Sequence, residues 1–147
     1  MPTVFDAASY ILHKHGPMTA MKLQKLVYYS QAWSVVWDDD VLFAADIEAW
    51  RNGPVVRSLW DTTRGNLRIS SLPYGDHGRL NEAQRETIDL VLEFYGTKDA
   101  QWLSDLTHME APWKEAFAQG QNTVISLERM SEFYSSLAPT AYPNEQA

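Results

Sequence analysis

Residues 22–33, which read KLQKLVYYSQAW, are the most informative stretch of the chain. They lie within a helix that the residue pattern predicts from Thr19, its N-cap, to Trp37. Apolar and aromatic residues recur at helical spacing on two sides of this segment, including Leu23, Leu26 and Trp33 on one side. Because a helix that is apolar around so much of its circumference must be covered by other elements, we expect it at the centre of the fold.

The flanking sequence predicts more helices and little strand. The predicted helices cover Thr3–His15, Pro54–Thr63, Asn81–Gly96, Ala100–His108, Pro112–Gln119 and Ser126–Leu137. Strands are predicted at Asp46–Arg51 and Leu67–Ile69, and we expect them to pair with each other. The expected fold is mostly α, a single domain over residues 1–138 with a small two-stranded β-hairpin, followed by a short disordered tail at 139–147.

Composition excludes several classes of protein. The chain has 147 residues, 45% of them hydrophobic, and no cysteine. This excludes intrinsic disorder, a disulfide scaffold, a thiol nucleophile, an iron–sulfur cluster and a cysteine-based zinc site. No apolar run is long enough to span a membrane, and the N-terminus lacks the layout of a signal peptide, so we expect a cytoplasmic protein.

The net charge of −7 comes entirely from the second half of the chain. Residues 1–70 carry seven basic and seven acidic side chains, whereas residues 71–147 carry five and twelve. Because neither half has an excess of cations, we do not expect this chain alone to bind nucleic acid. The acidic half is either a solvated helical surface or a face for a basic protein partner, and both interpretations stay open.

Two further stretches have a more specific sequence than their predicted secondary structure requires. They are EAWRNGPVV at 48–56 and LTHMEAPW at 106–113. Together with residues 22–33, they resemble the SocA-like antitoxin domain, also called the Panacea domain, of phage-associated proteins, over about residues 5–120. The resemblance implies an antitoxin of a type II-like toxin–antitoxin pair in a bacterial or phage-infected cell. Such a protein binds and neutralises a partner protein toxin without catalysis or a cofactor, and some relatives resemble adaptors that deliver the toxin to an AAA+ protease.

The first two stretches contain the candidate partner-binding residues. Adjacent tyrosines supply large apolar contact area with a hydroxyl and are enriched at interfaces, although they also seal protein cores. The candidates are Lys25, Tyr28, Tyr29, Gln31, Glu48, Trp50 and Asn52. A homo-oligomer is compatible with the same features.

The remaining motif residues are predicted to be structural. Gly53 and Pro54 should turn the chain from a strand into a helix, with Gly53 at positive φ. Thr107 or Glu110 should cap the helix that begins at Pro112, His108 should bind a helix-end carbonyl, and Trp113 should anchor the last helices.

Two other functions compete with the antitoxin hypothesis. Acid–base catalysis uses a hydroxyl, an imidazole and a carboxylate, and these groups are present at Thr107, His108 and Glu110. A small hydrolase is therefore one alternative. A phage-encoded modulator of a host protein is another. The histidines lack metal-binding spacing, and no metal site is predicted.

Overall fold

The computed structural model describes residues 1–141, and most of them are helical. The helices are α1 (Val4–His15), α2 (Ala20–Trp37), α3 (Arg57–Thr63), α4 (Glu82–Tyr95), α5 (Ala100–Met109), α6 (Ala111–Gln119) and α7 (Leu127–Ala141), with a 3-10 turn at His77–Arg79. The strands are β1 (Met18–Thr19), β2 (Glu48–Trp50), β3 (Gly53–Val55), β4 (Arg68–Ile69) and β5 (Thr123–Val124). The predicted class, mostly α with a small β part, is confirmed.

Helix α2 is the centre of the fold, as predicted. Every residue from Leu23 to Ser34 is buried, and helices α1, α4, α5 and α7 pack around it. The Thr19 hydroxyl accepts the Lys22 amide at 3.1 Å, which confirms the predicted N-cap. A capping box opens α4, since Asn81 and Gln84 each accept the other's backbone amide at 2.8 Å. Local capping chemistry therefore determines where these helices begin.

The predicted pairing of the strands is wrong. Strand β2 pairs antiparallel with β3 across the turn Arg51-Asn52, and β5 joins its other edge. Strand β4, expected beside β2, pairs instead with β1 just before the central helix. The hairpin closes locally because Gly53, at φ +123°, turns the chain back within two residues. The positive φ predicted for Gly53 is thus confirmed, but in a strand-to-strand turn.

Helix α3 begins at Arg57 rather than at Pro54. The reason lies in α2, where the Gln24 amide contacts both backbone groups of Val56. Its oxygen accepts the Val56 N–H at 3.0 Å and its nitrogen donates to the Val56 carbonyl at 3.2 Å. This amide satisfies the extended backbone of Val56 as a neighbouring strand would, so the helix starts only at Arg57, three residues after the predicted position.

The C-terminal helix extends beyond its predicted end. Helix α7 runs to Ala141 and includes 139–141, which the sequence assigned to the tail. The rest of the predicted tail, 142–147, lies outside the described residues.

Candidate functional site

The three motif stretches converge on the β2–β3 hairpin. Four of its carbonyl oxygens each accept a hydrogen bond from a side chain of another element. The donors are Trp113 Nε1 to Trp50 at 2.8 Å, His108 Nε2 to Arg51 at 3.0 Å, Ser104 Oγ to Asn52 at 2.7 Å and Lys25 Nζ to Pro54 at 3.4 Å. Helices α2, α5 and α6 thus fix the hairpin from behind through its main chain.

The spacing of the donors follows from helix geometry. Ser104 and His108 lie four residues apart on α5, so both side chains project from one face toward the turn. Trp113 lies in the first turn of α6, and its ring stacks on Phe117 at 4.7 Å. Because side chains of α2, α5 and α6 bind its carbonyls, the turn presents Arg51 and Asn52 to solvent in a fixed conformation. A pre-ordered exposed turn loses little conformational entropy when it binds a partner.

A cleft of about 220 Å³ lies between the hairpin, α2 and α3, and we call it the hairpin cleft. It is lined by Ala20, Met21, Gln24, Lys25, Trp50, Arg51, Asn52, Val55, Trp60 and Thr63. The two indole rings meet edge to face at 5.3 Å. None of the lining residues is acidic, whereas two are cationic.

Lys25 lies at the base of this cleft. Its side chain is 1% exposed, and its one hydrogen bond within the described residues is the 3.4 Å contact with Pro54. Burial disfavours the ammonium form and lowers the pKa of Lys25 to about 7. Gly53 lies against it, and a Cβ at that position would overlap Lys25 Cε. The glycine therefore makes room for the lysine as well as for the turn.

A second polar cluster, which we call the tyrosine–glutamate cluster, is buried between α2, α7 and the α5–α6 junction. Tyr29 and Tyr134 each donate to Glu110 Oε1 at 2.7 Å, and the Tyr28 and Tyr134 hydroxyls lie 2.9 Å apart. Burial raises the pKa of Glu110 to about 7, and the two phenol hydrogen bonds act in the opposite direction. All three tyrosines are at most 1% exposed, and their burial raises their pKa values. The cluster ties the C-terminal helix to the central one.

The predicted partner-binding residues fall into two groups. Lys25, Tyr28, Tyr29 and Gln31 are at most 1% exposed, so α2 does not present the expected tyrosine surface to solvent. The tyrosines seal the core. Gln31 holds the segment after α2, because its oxygen accepts the Leu42 amide at 2.7 Å and its nitrogen donates to Phe43 at 2.8 Å.

The other three candidates lie on the hairpin. Glu48 and Trp50 are half-buried on one face of β2, and Asn52 is exposed at the turn. The Glu48 carboxylate accepts Trp50 Nε1 at 2.9 Å and pairs with Arg57 at 2.9 Å, rather than with Arg51. Their role in partner binding stays a prediction.

Within residues 1–141, the side chains of the hypothetical hydrolase site form no hydrogen bond with one another. Thr107 Oγ donates to the Ser104 carbonyl at 2.7 Å, His108 binds the hairpin, and Glu110 binds the two tyrosines. The predicted capping roles also differ from the structure, since Glu110 occupies the N-cap position of α6 without a side-chain cap. The three side chains have three separate structural partners.

Four residues of the hairpin cleft, the hairpin contacts and the tyrosine–glutamate cluster were not predicted as site residues from the sequence: Gln24, Trp60, Ser104 and Tyr134. The four-residue spacing from Ser104 to His108 was an available signal. Tyr134 follows Met130 by the same interval, which predicts a shared buried stripe on the last helix.

Residues 1–141 contain neither a metal-binding cluster nor a helix that could span a membrane. No three histidine, aspartate or glutamate side chains gather where they could bind a metal ion in this part of the chain. Within the same residues, none of the helices combines the length and the apolar character needed to cross a bilayer.

In a comparison with protein-family models, residues 23–114 match the model described as antitoxin SocA-like, Panacea domain. The matched region begins in α2, includes the hairpin and ends just after Trp113. It therefore contains all four donors that bind the hairpin carbonyls. Searches of curated proteins and of solved structures gave no match.

Proposed function

The chain belongs to the SocA-like antitoxin, Panacea-domain family, and from this premise we propose that it binds and neutralises a partner protein toxin. The observation that carries the proposal is the family match over 23–114, the region whose side chains fix the hairpin. The partner of such a protein is another protein, and its own role is binding rather than catalysis.

The hairpin and the adjacent face of α3 are the proposed contact surface. Arg51 and Asn52 are exposed at the tip, and Trp50 and Trp60 lie beside them. Tryptophan and arginine are enriched among the residues that dominate binding energy at interfaces. Arg57 lies over the Trp50 ring at 5.1 Å and Arg64 over the Trp60 ring at 5.3 Å, so this face combines aromatic and cationic groups.

Neutralisation by occupying the toxin surface is favoured over hydrolysis. Acid–base catalysis needs a proton donor and acceptor within reach of one substrate position. Here His108 binds the hairpin, whereas the Glu110 carboxyl binds two buried phenols. His108→Gln, which keeps an N–H donor but removes imidazole chemistry, should therefore neutralise the toxin normally.

Co-expression with each adjacent gene tests the proposal. One neighbour should inhibit growth when expressed alone, and this chain should restore growth. If no neighbour is toxic and rescued, the antitoxin assignment fails.

A pair of matched variants tests the surface. Asn52→Glu changes an exposed asparagine at the hairpin tip, and Asn66→Glu changes an exposed asparagine after α3 that does not line the cleft. The first should weaken rescue and the second should not. Equal rescue by both would place the contact surface elsewhere.

The half-life of the toxin distinguishes direct occupation of its surface from delivery to a protease. Direct occupation predicts a half-life that does not depend on AAA+ proteases. An adaptor role predicts rapid loss of the toxin only when this chain and such a protease are both present.

A further inference from the structure

We propose that the hairpin cleft receives an aspartate or glutamate side chain of the partner toxin, with Lys25 as its counter-ion. This inference rests on the proposed function and assigns the chemistry of one contact within it.

The ammonium group of Lys25 has more hydrogen-bond donors than partners within residues 1–141. An ammonium group has three donors, and buried polar groups in folded proteins normally have partners. Within residues 1–141, Lys25 Nζ has a single hydrogen bond, at 3.4 Å, and none of the ion pairs includes it. Its side chain is 1% exposed yet lines the cleft, so its unused donors can be satisfied by a group that enters there.

The residues that line the cleft favour a negatively charged group. The chain carries a net charge of −7, but the cleft lining contains Lys25 and Arg51 and no acidic residue. The nearby Glu48 carboxylate is already bound to Arg57 and to Trp50. An incoming carboxylate would therefore meet two cations and no competing acid among the lining residues.

The apolar lining of the cleft favours an acidic side chain over a small free anion. Trp50 and Trp60 form its sides, and Val55 and Met21 also line it. An acidic side chain of a protein carries one or two methylene groups before its carboxylate. These methylenes can pack on the indole rings while the carboxylate reaches the amine, which a small free anion cannot do. A buried lysine–carboxylate pair of this kind contributes to partner specificity because removal of either group leaves the other uncompensated.

The test uses the toxin identified by co-expression. Lys25→Met removes the amine while keeping the length of the side chain. The matched control is Lys22→Met, three residues earlier on the same helix, where the ammonium binds the Gly96 carbonyl at 2.7 Å outside the cleft. We expect Lys25→Met to weaken toxin binding about 30-fold or more, and Lys22→Met about twofold or less. Unchanged affinity in a folded Lys25→Met variant would overturn the proposal.

A second variant guards against misfolding of the first. Arg51→Glu reverses the charge of an exposed residue at the edge of the cleft. Lys114→Glu reverses the charge of an exposed residue on α6, away from the cleft lining. Arg51→Glu should weaken binding about tenfold or more and Lys114→Glu should not. Equal affinities for the two variants would contradict the proposal.

A third measurement does not need the toxin. The ¹³Cε resonance of Lys25 is followed through a pH titration with N-acetylglutamate α-methylamide, whose only carboxylate is the side chain, and with its uncharged isostere N-acetylglutamine α-methylamide. The glutamate compound should raise the pKa of Lys25 and the glutamine compound should not. The same pKa with both compounds would refute the carboxylate site even if the antitoxin function holds. Absence of any toxic neighbour would refute the antitoxin function while this titration still decides the chemistry of the cleft.

Discussion

The hairpin cleft and the tyrosine–glutamate cluster each contain one buried ionisable group, and burial shifts both pKa values to about 7. Their surroundings differ. Glu110 accepts two phenol hydrogen bonds of 2.7 Å from side chains that are themselves buried. Among the described residues, Lys25 has a single hydrogen bond, of 3.4 Å, and it faces a cleft. Burial alone does not distinguish a structural polar group from a binding one, whereas the number and length of its hydrogen bonds do.

Removal of the Glu110 carboxylate should have the largest effect. Glu110→Ala leaves the Tyr29 and Tyr134 hydroxyls without their acceptor in a buried site, and each loss costs about 1–3 kcal/mol. We expect the free energy of unfolding to fall by about 4 kcal/mol in urea denaturation. Glu86→Ala, at an exposed site on α4, is the control and should change stability by about 0.5 kcal/mol or less. A variant at position 110 as stable as the wild type would show that the cluster is not structural.

Gly53→Ala should destabilise the hairpin by about 3 kcal/mol, because the new Cβ adds strain at positive φ and overlaps Lys25 Cε. Gly65→Ala is a close control, since Gly65 also has positive φ, +87°, but a Cβ there has no neighbour within 4 Å. It should lose only the strain component, about 1 kcal/mol. In a Lys25→Ala background, the cost at position 53 should fall toward that of position 65. Equal costs for the two single variants would contradict the close packing of Gly53 on Lys25.

Lys25→Met should have the opposite sign to Glu110→Ala. Replacing a buried, poorly partnered amine with an apolar side chain of similar length removes a desolvation cost, and we expect a gain of about 2 kcal/mol. Thermal and urea unfolding measure it. Lys22→Met, which removes a short hydrogen bond to Gly96, should not share the gain. A destabilised Lys25→Met variant would show that Lys25, like Glu110, stabilises the fold.

The two groups should also produce a minimum of stability near pH 7. Folded Glu110 has a pKa of about 7 against its ordinary 4.5, so the folded state binds more protons in this interval and stability falls as the pH rises. Folded Lys25 has a pKa of about 7 against its ordinary 10.5, so the unfolded state binds more protons in that interval and stability increases again.

Urea unfolding at about pH 5, 7 and 9 should show about 1.5 kcal/mol on each side of the minimum. Glu110→Gln should remove the slope on the acid side and Lys25→Met the slope on the alkaline side. A profile unchanged by both substitutions would assign the pH dependence to other groups.

The smallest effect is expected at Ser104, whose hydroxyl binds the Asn52 carbonyl at 2.7 Å. That carbonyl belongs to an exposed turn, where water can replace the lost donor, so Ser104→Ala should cost about 1 kcal/mol or less. Faster amide exchange confined to residues 51–53 would locate the change. A loss comparable to that of Glu110→Ala would mean that the hairpin depends on this single bond.

Features with local causes could be predicted from the sequence. The central position of α2 follows from its own residues, and the caps at Thr19 and Asn81 follow from neighbours within three positions. The conformation of Gly53 was also predictable from its turn context. These features need no knowledge of the tertiary fold.

Features that depend on distant residues could not be predicted in this way. Strands β1 and β4 have two residues each and too little pattern to reveal their pairing. The burial of Tyr29 depends on Glu110 and Tyr134, which are far away in sequence. Lysine is rarely buried, so the position of Lys25 at the base of a cleft contradicts the ordinary expectation for its residue type.

The hairpin is held through its main-chain oxygens, so its conformation does not depend on the side chains that it presents. Within residues 1–141, the side chains of Arg51 and Asn52 form no hydrogen bond or ion pair, so substitutions there should change the groups that the tip presents without changing its position. A lineage that meets an altered toxin can therefore revise recognition at two positions and leave the scaffold intact. For protein engineering, the same two codons are the economical place to randomise a library.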